Sequence, residues 1–238
     1  MQVLLRMLYP PQCVSCDALV DQAFHLCAEC WRDTHFIGGL VCDACGTPLP
    51  GEDCDTPEYC DDCLTIARPW TRGRSVALYR GRMRKLVLAI KHGDRLDMTR
   101  PAARWMATTA TALITHKTVI VPIPVHSSRL LSRRFNQAAV VASGMAKLLH
   151  LKCVPDALVR IRRTAVQDGM GCDERFRNLA GSIVPHPKRL GALKGRDILL
   201  IDDVFTSGAT FAAATEACHV AGADQVCVLA LARVAKDA

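Results

Sequence analysis

Four closely spaced cysteine pairs constrain this 238-residue chain more than any other feature: "CVSC" (Cys13, Cys16), "CAEC" (Cys27, Cys30), "CDAC" (Cys42, Cys45) and "CDDC" (Cys60, Cys63). A CxxC knuckle offers two sulfurs to one metal from a tight turn. Two knuckles complete a tetrahedral Cys₄ site with no open position for chemistry. The eight cysteines therefore predict two structural zinc sites. The simplest pairing is sequential, with Cys13, Cys16, Cys27 and Cys30 in one site and Cys42, Cys45, Cys60 and Cys63 in the other; the spacing leaves open an interleaved pairing of first knuckle with third and second with fourth. Between the pairs lie Gly38, Gly39, Gly46, Pro48, Pro50, Gly51 and Pro57, turn formers without helical period. Nine of the thirteen cysteines precede residue 64, and Cys54 stands outside any pair. Tight pairs ahead of a long, ordinary α/β sequence indicate metal ligation in a reducing compartment, not a secreted disulfide scaffold. The segment "ARPWTRGRS" reads as a boundary, giving a small cysteine-rich module over 1–68 and a larger domain over 69–238.

Charge divides at the same place. Residues 1–70 hold three arginines, no lysine and eleven Asp/Glu, whereas residues 71–238 hold 27 Lys/Arg and 12 Asp/Glu. The net +7 thus combines a front end of −8 with a body of +15. An acidic zinc module repels phosphate backbones, so it reads as structural or protein-contacting, while the basic body attracts phosphates. The cluster Arg72, Arg74, Arg80, Arg82, Arg84 and Lys85 has the charge to follow a single-stranded nucleic-acid backbone. With only Trp70, Tyr79 and Trp105 as large aromatics nearby, a base-stacking platform is poorly supported. No segment reaches the roughly 18 apolar residues of a membrane span. The opening "MQVLLRMLYPPQC" is interrupted by Arg6 and lacks a small-residue cleavage site, so a cytoplasmic chain without membrane insertion is expected.

Beyond residue 70, strand and helix patterns alternate. "SVALYRG" reads as a strand and turn, and Met83, Leu86, Val87 and Ile90 recur at helical spacing up to the break at "KHGD". A helix is predicted from about Pro101 to Ile114, followed by the buried strand "TVIVPIPV" and the helix "NQAAVVASGMAKLLH". "KCVPDALVRI" reads as a strand, and Arg162 to Asn178 as a polar loop. The strand "RDILLIDD", the helix "GATFAAATEACHVAG" and the strand "DQVCVLALARV" complete the chain. Such alternation predicts a parallel sheet covered by helices.

The stretch "ILLIDDVFTSGAT", Ile198 to Thr210, carries the chemistry. Adjacent carboxylates at the end of an apolar strand repel one another unless cations or hydrogen-bond donors meet them. The following loop supplies the hydroxyls of Thr206, Ser207 and Thr210, the amide of Ala209, and Gly208, where backbone can approach closely. Loop amides at a helix N-terminus hold a phosphate dianion. Carboxylates cannot, but they accept hydrogen bonds from vicinal hydroxyls, with Mg²⁺ offsetting their repulsion. A ribose 5-phosphate satisfies both halves, its diol at Asp202 and Asp203 and its phosphate at Thr206–Thr210.

That stretch resembles the 5-phosphoribosyl-1-pyrophosphate (PRPP) loop of type I phosphoribosyltransferases. "VPIPVHSSRLLSRRFNQA", "RRTAVQDGMGCDERFRNLAGSI" (with Thr164, Gln167, Arg175 and Asn178 in matching places) and "ALYRGRMRKLVLAIKHGDRL" resemble motifs of the ComF family. This is the gluconate-utilisation-X-like, amidophosphoribosyltransferase-related group, and the likeness extends over nearly the whole chain. Arg134 departs from the pattern, standing where the family has glycine. The resemblance implies a type I phosphoribosyltransferase fold behind a double zinc ribbon. It also implies Mg²⁺-dependent phosphoribosyl transfer from PRPP to a nitrogen acceptor, linked to competence, DNA uptake or the use of external DNA. By position it places Pro124, Val125 and His126 in a loop facing pyrophosphate, with Lys91, Arg129, Arg133 and Arg175 as candidate anion contacts, and residues 162–178 as a hood over the site. No protein nucleophile is required. The alternative from another class is a non-catalytic single-stranded DNA-handling protein on the same scaffold.

Overall fold

The computed structural model describes residues 9–52, 56–91, 95–126, 135–162 and 171–235. Two short helices, α1 (Ala28–Arg32) and α2 (Asp61–Thr65), lie in the cysteine-rich part, each beginning at the second knuckle of a tetrad. There follow β1 (Arg72–Leu78), α3 (Gly81–Lys91), α4 (Thr99–Ala110), β2 (Thr118–Pro122), α5 (Gln137–Leu149) and β3 (Lys152–Cys153). After them come β4 (Leu158–Arg160), α6 (Cys172–Leu179), β5 (Ile183–Pro185), α7 (Leu190–Leu193), β6 (Asp197–Phe205), α8 (Ala209–Val220) and β7 (Gln225–Arg233). Five strands form one sheet in the order β1-β7-β6-β2-β3, every pairing in it parallel. The expected α/β architecture, a parallel helix-flanked sheet behind a small cysteine-rich module, is the one observed.

The strand sequences dictate burial on both faces. Successive side chains of a strand point to opposite faces, so "ILLI" serves two cores at once. Ile198 and Leu200 pack with Phe205, Phe211 and the alanine face of α8. Leu199 and Ile201 pack with Met83, Leu86, Val87, Met106 and Met145 of α3, α4 and α5. Helix α5 has the ends its sequence predicts: the Asn136 side chain accepts from the Ala138 amide, and His150 closes it in the left-handed conformation.

Two sequence expectations need correction. "KCVPDALVRI" is two strands, not one. Pro155 cannot donate to a ladder, and the chain leaves the main sheet there; β4 then pairs antiparallel with β5 in a separate two-stranded sheet. The polar segment 162–178 contains helix α6, which runs to the buried Leu179. Phe176 and Leu179, three positions apart, pack into the core beside α8, a signal hidden among charged neighbours. Residues 163–170 of that segment lie outside the described residues. Asp202 and Asp203 lie within β6, as "RDILLIDD" predicts, and the strand runs on to Phe205 because β7 is long enough to pair with it at Asp202, Val204 and Phe205.

The cysteine-rich part packs on the β1 edge. Ile37 donates to the Val76 carbonyl at 2.9 Å, Leu78 to that of His35 at 2.9 Å, and Gly73 to that of Asp43 at 2.8 Å. At Gly73 a Cβ would collide with the Ala44 carbonyl oxygen, so only glycine permits this approach. Charge follows the same seam. Asp43 meets Arg74 at 2.7 Å and Arg72 at 3.1 Å, and Asp33 meets Arg82 at 3.3 Å. The acidic front and basic body are thus partly complementary, and three members of the basic cluster are engaged within the protein. None of the described helices is long and apolar enough to cross a membrane.

Candidate functional site

In an open parallel sheet, ligands bind beyond the carboxyl ends of strands, where neighbouring strands connect in opposite directions. Here β2 leads through α5 outward to β3, and β6 leads through α8 the other way to β7. The crevice between β2 and β6 is that point. Asp202 and Asp203 stand on one side of it and the Pro124–His126 segment on the other, joined where Ile123 donates to the Ile201 carbonyl at 2.8 Å. Asn136 fixes this segment by donating to the Ile123 carbonyl at 3.0 Å.

The acids are only partly matched by cations. Lys91, at the end of α3, reaches Asp203 at 3.2 Å, and Gln137 holds the Lys91 carbonyl at 3.1 Å. The Asp203 amide donates to Asp202 Oδ1 at 2.8 Å. Burial, and then the Asp203 charge, push Asp202 up to about 7, with Lys91 and Arg160 pulling the other way. The pair is therefore a poorly compensated acceptor, suited to hydroxyl donors or a hard cation.

The loop after β6 turns at Gly208 into α8. Gly208 takes φ +87°, and Ser207 Oγ accepts from the Ala209 amide at 3.3 Å just ahead of α8. Thr206 is exposed, and Ser207 and Thr210 are half-buried. The amides of Thr206, Ser207 and Gly208 meet no acceptor among the described residues. Arg175 sits on α6, its Nε buried without a hydrogen-bond partner, and no contact joins it to the acid pair among the described residues. Arg129 and Arg133 lie outside the described residues.

The tetrads pair sequentially: Cys13, Cys16, Cys27 and Cys30 form one, Cys42, Cys45, Cys60 and Cys63 the other, the sulfurs of each all within 4.8 Å of one another. Zn–S bonds of 2.3 Å in a tetrahedron put sulfurs about 3.8 Å apart. The Cys16–Cys27 and Cys45–Cys60 separations are each 3.6 Å, so the donor sets fit structural zinc. Backbone amides face the first tetrad, with Cys27 donating to Cys13 Sγ at 3.2 Å. Metal analysis of the purified chain is expected to return two zinc per molecule; a folded, metal-free preparation with the same melting curve would contradict this.

Two residues that hold the loop after β6 escaped sequence reading, Arg68 and Arg233. Arg233 is 4% exposed at the end of β7 and donates to the Thr206 carbonyl at 2.6 Å. Arg68 donates to the Ser207 carbonyl at 2.7 Å. The available signal was a lone arginine closing the otherwise apolar run "VCVLALAR".

The double zinc ribbon domain model matches residues 4–64. DNA utilization protein YhgH of Salmonella typhimurium (strain LT2) is 30% identical over 215 residues, 87% of this chain and 90% of that protein. Competence protein F of Haemophilus influenzae is 23% identical over 228 residues, covering 93% and 96% of the two chains. The chain belongs to the ComF family. Among solved structures, glutamine PRPP amidotransferase from B. subtilis superposes with a TM-score of 0.40 at 15% identity, over 60% of this chain and 30% of that one. A likeness of that degree carries no chemical argument.

Proposed function

We propose that this ComF-family chain binds PRPP with Mg²⁺ in the crevice between β2 and β6 and transfers its phosphoribosyl group to a nitrogen acceptor during the use of external DNA. The observation that carries this reading is an under-compensated carboxylate pair at the switch point of the sheet, followed directly by a hydroxyl-rich, glycine-pivoted turn opening a helix. Asp202 and Asp203 accept from the ribose hydroxyls. The hydroxyls of Thr206, Ser207 and Thr210, with the loop amides, hold the 5-phosphate. The Pro124–His126 segment faces the pyrophosphate. Mg²⁺ supplies neutralisation of the leaving charge. In the transfer, the bond from C1 to the pyrophosphate oxygen breaks with its electron pair leaving on pyrophosphate, and the acceptor nitrogen forms the new bond and gives up a proton. The protein contributes position and electrostatics, and no side chain becomes a nucleophile.

The test is titration with PRPP and Mg²⁺ by calorimetry. Replacing both acids, Asp202→Ala with Asp203→Ala, is expected to weaken binding at least about 100-fold, as lost charge-assisted hydrogen bonds dictate. Single-stranded DNA at two salt concentrations separates the second reading, favoured by the names of the relatives and by the +15 body. DNA binding with a steep salt slope that is indifferent to the double substitution, and no PRPP binding, would replace the transferase reading.

A further inference from the structure

The second cysteine tetrad and the loop after β6 share two guanidinium groups. Arg233 donates through Nη2 to Cys45 Sγ at 3.5 Å and through Nη1 to the Thr206 carbonyl at 2.6 Å; its Nε donates to Thr47 at 2.8 Å, beside the same knuckle. Arg68 repeats the arrangement one residue on, donating through Nε to Cys63 Sγ at 3.5 Å and through Nη1 to the Ser207 carbonyl at 2.7 Å. Aromatic rings fill the space between. Arg233 lies 4.2 Å over the Phe205 ring and Arg68 5.5 Å over that of Trp70, while the Trp70 indole donates to the Ala44 carbonyl at 2.6 Å, inside the "CDAC" knuckle.

Two consequences follow from elementary chemistry. A buried cation needs a counter-charge. Among the described residues Arg233 has no carboxylate partner, so its counter-charge is the thiolate set of the tetrad. A Cys₄ zinc site carries a formal charge of about −2 from four thiolates and Zn²⁺, which two guanidiniums balance. Secondly, a trans peptide plane points C=O and the next N–H in opposite directions. With the Thr206 and Ser207 carbonyls drawn toward the ribbon, the amides of Ser207 and Gly208 are turned away from it, the orientation a phosphoryl group requires. The first tetrad has no such link to the loop among the described residues; the amides of Ser15, Cys27 and Cys30 donate to its sulfurs, and the arginine whose charge it feels, Arg82, is paired with Asp33.

We propose that Arg68 and Arg233 are positioning residues that tie the second tetrad to the loop, so that metal held by Cys42, Cys45, Cys60 and Cys63, and not by the first tetrad, sets the loop's grip on the 5-phosphate. This rests on the PRPP reading for its ligand but not for its mechanical part. The zinc ribbon is then part of the ligand site, although it contributes no atom to the ligand.

The experiment compares three variants of the full chain for zinc content, PRPP–Mg²⁺ affinity and the ¹H–¹⁵N resonances of Ser207 and Gly208. Arg68→Gln, at a half-buried position, is expected to keep both zinc ions, shift both amide resonances and weaken PRPP about tenfold, the effect of one lost charged hydrogen bond. Cys63→Ser is expected to lose one zinc, shift the same resonances and weaken PRPP at least as much. Cys16→Ser is expected to lose the other zinc and leave the two resonances, and the affinity within about twofold, as they were. Unmoved resonances in Arg68→Gln, or equal effects of Cys16→Ser and Cys63→Ser on them, overturn the tether. If the unaltered chain fails to bind PRPP while the resonances respond as expected, the tether stands and the ligand assignment falls.

Discussion

Gly208→Ala is expected to destabilise the protein by about 3 kcal/mol and to abolish PRPP binding within the accessible range. Two costs add. The residue sits at φ +87°, where a Cβ is strained by about 1 kcal/mol. That Cβ would also stand 2.8 Å from a Phe205 ring carbon, 2.9 Å from Trp70 and 3.0 Å from Arg68 Nη1, and overpacking of this kind costs roughly 1–3 kcal/mol. Phe205, Trp70 and Phe211 form one aromatic cluster with centroid spacings of 5.2–6.2 Å, so none of the three rings can retreat without moving another. In a chain of this length each kcal/mol lowers Tm by about 2–4 °C, so scanning calorimetry should show a fall of roughly 6–12 °C. An unchanged Tm would mean that the loop does not hold this conformation in solution.

Asp202→Asn should act in the opposite sense on stability while destroying the site. Burial and the Asp203 charge raise the Asp202 pKa to about 7 in the folded protein, against about 3.9 in an unfolded chain. Below about pH 3 the carboxyl is neutral in both states and costs nothing. As pH climbs from about 4 to about 7, the unfolded chain ionises first, folding is progressively disfavoured, and above pH 7 the cost is complete. Asparagine removes that cost and keeps an oxygen to accept from the Asp203 amide. After allowance for partial solvent access, the variant should gain on the order of 2 kcal/mol at pH 8 and nothing at about pH 3. PRPP affinity of the unaltered chain should rise between pH 6 and 8, because a protonated Asp202 is a weaker acceptor for a diol and no ligand for Mg²⁺. A variant that melts below the parent at pH 8 would show that the acid pair stabilises the fold, contrary to its role as a site held at a cost.

Much of this was legible along the chain because it depends on neighbours in sequence. CxxC spacing defines a knuckle locally, an apolar run of β-branched and leucine residues defines a strand buried on both faces, and Asp-Asp followed two residues on by Thr-Ser-Gly defines an acid pair and a glycine-pivoted loop. The helix in 172–179 was obscured by its charged neighbours, and the division of "KCVPDALVRI" depended on where β5 lies, far along the sequence.

What only the tertiary structure decided were relations between distant residues. These include the sequential grouping of the tetrads, the Asp203–Lys91 ion pair across 112 positions, the docking of Asp43 on Arg72 and Arg74, and the spans from Cys45 and Cys63 through Arg233 and Arg68 to the loop. A guanidinium reads alike in sequence whether it is solvated or buried. Its role is fixed by which opposite charge the folded chain brings to it, and that is set by packing at the ribbon–sheet seam.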